Sequence, residues 1–307
     1  MSHDTSDAAV QEALANFAEL SHRVGARTGF LSLLAENPKT ARLLITLFAN
    51  SQFLTDLYLK RPELLDSLIR VDLTRLRKDR DEVLSKLLAL CAGATRLEEK
   101  LNTIRRYKAE ELIRIALHDL GGALELGEVI VQLSDLAEAC GEAALMLALK
   151  EMEKSFGRLP GGKFAVLGMG KLGGKEIDYN SDLDLIFIYD AADEARSQGR
   201  GAEGLDPHDY YVRLGQKLMT FLSAPTEEGI AYKIDLRLRP SGRFGPVVSS
   251  LPAFRHYHQT GSQLWERQAL IKARFVAGDR TLGADADRVA GNCAYEKSIE
   301  QEDIGAI

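Results

Sequence analysis

Asp182 and Asp184 stand two residues apart at the head of the apolar run Leu185-Ile-Phe-Ile188. On an extended strand, side chains two apart project from the same face, so this pair can share a cation. A glycine-rich turn with Gly168, Gly170, Gly173 and Gly174 comes just before, after the apolar run Ala165-Val-Leu167. Glycine lets backbone N–H groups approach anionic oxygens where a Cβ would block them. Magnesium takes hard oxygen ligands of this kind, one or two carboxylates with water and substrate phosphate completing its shell. Strand, glycine turn and paired carboxylates together predict a site for a metal-bound nucleoside triphosphate.

A third carboxylate is written further on. From Ala231 to Pro240 the chain alternates strictly, with Tyr232, Ile234, Leu236 and Leu238 against Lys233, Asp235, Arg237 and Arg239. The pattern predicts a strand with one core face and one charged face. A solvent-facing strand of an antiparallel sheet reads the same way. Placed beside the Asp182/Asp184 strand, however, it brings Asp235 in as a third ligand and sets Arg237 and Arg239 where triphosphate oxygens lie. Three clustered carboxylates repel one another and need a cation to stay ionised together. The chemistry that uses such a triad is two-metal phosphoryl or nucleotidyl transfer, with Asp235 also placed to take a proton from an acceptor hydroxyl.

Two commoner glycine motifs do not fit. Gly168, Gly170 and Gly173 spell GxGxxG, but the dinucleotide fingerprint needs a full crossover helix before the next strand, and only Lys175 to Ser181 separate Gly174 from the aspartates. A P-loop fails because Gly174 stands where its lysine belongs. The net charge of −6, without long basic stripes, argues against a nucleic-acid grip. Cys91, Cys140 and Cys293 lack metal-binding spacing and read as buried thiols. The first residues have no signal-peptide pattern and no apolar run reaches membrane length, so a soluble cytoplasmic protein without a membrane partner is expected.

These groups need a frame to hold them, and the sequence predicts an α+β chain. Residues from about Val10 to Gly157 carry apolar spacings of three and four. Expected helices include Ala41–Phe48, Phe53–Leu59, Glu63–Ile69, Leu97–Leu120 closed by Gly121-Gly122, and Asp135–Ser155 with Ser134 as N-cap. Patterning switches to period two near Leu159-Pro-Gly-Gly162. Ala191 to Leu205 reads as a mobile loop, and Asp206-Pro207 caps a helix with Tyr211, Leu214, Leu218 and Phe221 on one side. Trp265 is expected to pack against the sheet, and Glu266, Lys272 and Arg274 to form either a surface salt-bridge face or the rim of the nucleotide cleft. The resulting division is 1–158 helical, 159–280 catalytic, and 281–307 the start of a further helical segment.

Three stretches resemble the bacterial glutamine synthetase adenylyltransferase family: GMGKLGGKEIDYNSDLDLIFIYD from Gly168, YKIDLRLRPSGRFGPVVSS from Tyr232, and WERQALIKAR from Trp265. The resemblance implies a DNA polymerase β-like nucleotidyltransferase domain after a helical regulatory region. It implies two catalytic halves in the whole enzyme, one moving AMP from ATP to a tyrosine of glutamine synthetase, the other removing it by phosphorolysis to give ADP. It makes Asp182, Asp184 and Asp235 the Mg²⁺ ligands, with two ions expected alongside ATP. Gly170 and Ser181 become triphosphate contacts, and Lys171, Arg237 and Arg239 candidate phosphate contacts. The segments Val24–Pro38 and Arg61–Asp66 are similar to the family's central helical region, which points to the adenylylating half and to a piece of a longer protein. PII-type signal proteins are the regulatory partners the family implies. The alternatives are the deadenylylating half and an ATP-sensing regulatory module without turnover.

Overall fold

The computed structural model describes residues 4–23, 32, 34–36, 38–60, 76–199 and 204–295. The helix expected over Glu63–Ile69, the Arg61–Asp66 segment, most of Val24–Pro38, and residues 296–307 lie outside these. The chain divides into two compact units, Met1–Lys78 with Arg106–Leu133, and Asp79–Arg105 with Ser134–Ile307. The class is α+β, as expected: helices dominate around one small mixed sheet.

Among the described residues the first half is helical. Its helices are α1 (Asp4–Arg23), α2 (Pro38–Asn50), α3 (Gln52–Lys60), α4 (Arg80–Ala92), α5 (Leu97–Leu120) and α6 (Leu126–Phe156). In the first unit Leu20, Leu44, Leu47 and Tyr58 are fully buried. The Arg114 guanidinium is buried there too, which is tolerable because it is paired. It donates to Glu111 Oε2 at 2.7 Å and Gln132 Oε1 at 2.8 Å, while Lys78 takes the other Glu111 oxygen at 2.6 Å. Helix α5 ends where the glycine pair demands, with Gly122 at φ +68°. Ser134 is not an N-cap: α6 begins earlier, at Leu126, and the Ser134 hydroxyl instead accepts the Ile177 N–H at 3.2 Å. No helix among the described residues is long and apolar enough to cross a membrane, and the three cysteines are buried and in no disulfide among the described residues.

The second unit is built on strands β1 (Lys163–Gly168), β2 (Leu183–Asp190), β3 (Ile234–Asp235), β4 (Val248–Ser250) and β5 (Arg274–Gly278). Their order is β3-β2-β1-β5, with β4 also on β2. β1 runs antiparallel to β2 and β5, whereas β3 and β4 lie parallel to the start and the end of β2. Between β1 and β2 lies only α7 (Gly170–Gly173), a single turn, so no crossover helix exists here. Ala165, Leu167, Ile186 and Ile188 form one core face with Leu251, Phe254, Leu270, Leu282 and Ala286. Those partners come from α9 (Leu251–Thr260), α10 (Leu264–Leu270) and α11 (Arg280–Tyr295). By the pleat, Asp182 and Asp184 belong to the Ile186/Ile188 face, just where that core ends.

Helix α8 (Pro207–Ser223) matches its sequence signature: the Asp206 carboxylate caps the Asp209 N–H, and Tyr211, Leu214, Leu218 and Phe221 are buried. Before it, the described residues 191–199 and 204–205 lack regular structure but are tied together. Ser197 N–H bonds to Leu205 O at 3.0 Å, and Leu205 N–H returns to the Ser197 hydroxyl at 2.9 Å. Strand β5 has no counterpart among the sequence expectations. Trp265 departs from its expected place: it is 49% exposed, its indole N–H donating to Gln263 Oε1 at 3.0 Å. Glu266, Arg267 and Leu270 take the buried side of α10 instead.

His258 of α9 is 2% exposed, between the rings of Phe254 and Tyr257, and neither ring nitrogen has a hydrogen-bond partner among the described residues. Burial pushes its pKa down to about 4, with the Glu266 charge opposing. The unfolded chain therefore binds a proton at this position below about pH 6.5 that the folded chain refuses. Stability should fall as pH drops from 6.5 towards 4, by about 2 kcal/mol at pH 5 from this group alone. Urea melts of wild type and His258→Leu at pH 7.5 and pH 5 check this: the leucine variant should lack that share of the acid loss.

Candidate active site

The glycine turn and the head of β2 are laced together. Met169 N–H donates to Asp184 O at 2.8 Å, which fixes the backbone that follows β1 against the aspartate strand. Gly170 sits at φ +52°, and a Cβ there would lie 2.6 Å from Asp184 Oδ2, so only glycine lets the turn lean on the carboxylate. Gly173 is pressed so closely against the Lys272 carbonyl that a Cβ has no room. Arg274 secures the other end, its Nε on Gly173 O and Nη2 on Leu172 O, both at 2.9 Å, with Glu138 as counter-ion at 2.5 Å. Lys272 pairs with Glu176 at 2.6 Å, and buried Glu266 accepts the Tyr257 hydroxyl at 2.7 Å. Arg274 is thus part of the frame under the turn, Lys272 and Glu176 a surface pair, and Glu266 a capping group.

The third carboxylate arrives beside the second. In the parallel β2–β3 ladder Leu183 is matched with Ile234 and Asp184 with Asp235, and Leu183 N–H donates to Lys233 O at 2.9 Å. The strand that delivers it is much shorter than the alternation suggests. Only Ile234 and Asp235 are extended; Ala231 and Tyr232 donate their N–H groups to Leu222 O, and Arg239 N–H closes a turn onto Leu236 O. The loop after that turn includes a 3₁₀ turn at Gly242–Phe244 and carries a fully exposed Phe244.

Electrostatics mark Asp184 as the strained member. Burial raises its pKa, the charges of Asp235 and Asp182 raise it further, and Arg237 partly compensates. Asp235 is shifted the opposite way, held below the usual carboxylate range chiefly by its bond from Arg237. Arg237 Nη2 and Nε lie 2.5 and 2.6 Å from Asp235 Oδ2, and Arg237 N–H is 2.8 Å from Oδ1.

The remaining candidates are occupied locally. Lys171 pairs with Asp178 at 2.6 Å across the turn, both side chains about half exposed. Ser181 Oγ accepts the Asp178 N–H at 3.1 Å, so its hydroxyl closes the turn ahead of Asp182. Arg239 spends its guanidinium on the carbonyls of Gly245, Leu236 and Arg243 at 3.2, 3.1 and 3.3 Å. In this arrangement it shapes the loop. The sequence did not show that Gly170 abuts a carboxylate, nor that Arg237 covers one; a residue two positions from an aspartate is the only signal of the latter.

The donor set suits a hard divalent cation, all carboxylate oxygen with two of the three carboxylates at matched register. Among the described residues, no three acidic, histidine or cysteine groups converge closely enough to hold an ion as they stand. Both Asp235 oxygens are meanwhile taken by Arg237, through its guanidinium and its backbone N–H.

Comparison with known proteins follows the same lines. The family model described as glutamate-ammonia ligase adenylyltransferase matches residues 41–289. The bifunctional glutamine synthetase adenylyltransferase/adenylyl-removing enzyme of Rhizobium meliloti (strain 1021) is 36% identical over 286 residues, 93% of this chain and 29% of that protein. Proteins of the same description from Agrobacterium fabrum and Xanthomonas axonopodis pv. citri are 37% and 39% identical, over 93% and 83% of this chain. The chain spans 29% and 27% of those two relatives, under a third of their length. With the glycine turn, the aspartates and this match over most of its length, the chain belongs to the glutamate-ammonia ligase adenylyltransferase family.

Proposed function

We propose that the sheet-bearing unit is a nucleotidyltransferase of polymerase β-like fold that moves AMP from ATP to a tyrosine of glutamine synthetase and releases pyrophosphate. The observation that carries this reading is Asp184 beside Asp235 on parallel strands, with the Gly170 backbone against the Asp184 carboxylate. Asp182, Asp184 and Asp235 would hold Mg²⁺, which when bound neutralises triphosphate charge and acidifies the acceptor hydroxyl. The chain's own residues align the reactants. Gly170 and Ser181 border the phosphates from the turn, and Lys171 and Arg237 supply mobile cations within the same neighbourhood. The tyrosine oxygen bonds to the α-phosphorus, the bond to the β-phosphate bridging oxygen breaks, and the phenolic proton leaves towards Asp235. We assign residues 159–280 to this chemistry and the helices of 1–158 to regulation and linkage. In the whole protein a PII-type signal protein is the proposed regulatory partner, in the cytoplasm.

The test uses unmodified glutamine synthetase, Mg²⁺ and ATP. One AMP should appear on the acceptor by intact-mass spectrometry, with pyrophosphate released. No mass gain, but ADP formed from AMP-bearing acceptor and orthophosphate, would replace transfer by removal; neither reaction would defeat both.

Gly170→Ala gives a sharper check on the turn. The added Cβ meets Asp184 Oδ2 and the residue is forced to a left-handed backbone, a strain of about 1 kcal/mol. Transfer should drop by about ten- to a hundredfold as Asp184 is displaced, with only a small loss of melting temperature. Unchanged transfer would separate the turn from the chemistry.

A further inference from the structure

Arg237 already does at Asp235 what a metal ion would do. Both Asp235 oxygens are engaged, Oδ2 by Nη2 and Nε at 2.5 and 2.6 Å and Oδ1 by the Arg237 backbone N–H at 2.8 Å. The Asp235 side chain is 17% exposed and that of Arg237 66%, so the guanidinium is the more solvent-exposed member of the pair. Its charge also acts on Asp184 and Asp182. A divalent ion small enough to suit this site needs those same oxygens at close to 2 Å and cannot share them with a guanidinium fork.

Arg237 is tethered only two residues from Asp235, in the turn that follows β3. Once displaced it stays at the mouth of the site with its donors free. We infer that Arg237 is a built-in counter-cation, a positioning residue that blocks Asp235 until a divalent ion displaces it and then meets the incoming triphosphate. This rests on the nucleotidyltransferase reading above. Its consequence is that metal and nucleotide loading are coupled: the ion alone must break the Arg237–Asp235 pair, and a triphosphate gives the released guanidinium a new partner.

The experiment titrates Mn²⁺ into the chain without nucleotide, read by electron paramagnetic resonance, for wild type, Arg237→Gln, Arg237→Lys and Asp184→Asn. In parallel the Arg237 Nε–H resonance of the wild type is followed by NMR as Mg²⁺ is added. Arg237→Gln should bind Mn²⁺ about tenfold more tightly than wild type. Arg237→Lys, which keeps the charge but not the fork, should also bind more tightly, which a mere field effect would not produce. The Nε–H signal should lose its exchange protection as Mg²⁺ saturates. Ion binding that Asp184→Asn abolishes, with the Nε–H signal unmoved and the Arg237 variants equal to wild type, overturns the inference and leaves the enzyme reading standing. Binding seen only in the Arg237 variants overturns displacement by the ion, because the wild-type pair then never opens to it. No ion binding in any form overturns both.

Discussion

Asp184→Asn is expected to lower AMP transfer by about a thousandfold or more while leaving the chain folded. An amide in this position cannot supply the anionic oxygen that a hard cation needs. The same carboxylate is held at a cost to the fold, since burial and the neighbouring Asp235 and Asp182 charges raise its pKa. A carboxyl whose folded pKa is raised destabilises the folded state as pH rises through that range, and the penalty is fully present at neutral pH. The variant should therefore melt no lower than wild type at pH 7 without metal. Adding Mg²⁺ should raise the melting temperature of wild type and leave that of Asp184→Asn where it was. Labelled transfer to glutamine synthetase and thermal melts with and without Mg²⁺ measure both effects. Retained transfer would remove the aspartate from the chemistry.

Arg105→Met should cost about 3–5 kcal/mol of stability, the largest structural effect expected. Arg105 is 2% exposed, and its guanidinium donates to Gly229 O at 2.8 Å, Leu101 O at 2.9 Å, Phe221 O at 3.0 Å and Ala224 O at 2.7 Å. Methionine fills a similar volume but leaves these buried carbonyls without that donor, and each such loss costs on the order of 1 kcal/mol or more. Leu101 lies on α5 with Arg105 itself, whereas the other three carbonyls belong to the end of α8 and the turn that leads into β3, where the Ala231 and Tyr232 N–H groups bond back to Leu222 O. Loosening them unseats Asp235 as well, so transfer should fall along with the melting temperature. A drop of about 10 °C is the expected scale. Arg105→Lys restores the charge with fewer donors and should recover only part of it. A melt within 2–3 °C of wild type would show that the turn holds itself.

The sequence reveals most where one residue type is physically required. The GxGxxG turn, the two aspartates at period two, the Asp206-Pro207 cap and the Gly121-Gly122 stop all sit where backbone geometry leaves little choice. The length of β3 was not legible, because the apolar side chains of Tyr232 and Leu236 are buried from a bend and a turn just as they would be from a strand. Alternation reports burial, and a ladder needs a partner; on that side of β2, β4 takes over from Phe187 onward. Ser134 shows the same limit, since a serine inside a long helix is indistinguishable from a cap until its acceptor role toward Ile177 is seen. For Arg237 and Arg239, spacing indicated a face but not a partner, and for Lys171 the resemblance alone suggested a role; each found a partner within several residues of itself.

One edge of β2 is divided between β3 and β4, so residues 236–247 leave and rejoin the sheet along a single strand. Length added to such an excursion costs little entropy and leaves the pairings at either foot in register. Arg243 and the bare ring of Phe244 ride at its tip. Descendants of this chain are therefore free to rewrite that tip by insertion or exchange and change what docks beside the aspartates, whereas a single-residue shift in the β3 foot would throw Asp235 to the opposite side of the sheet.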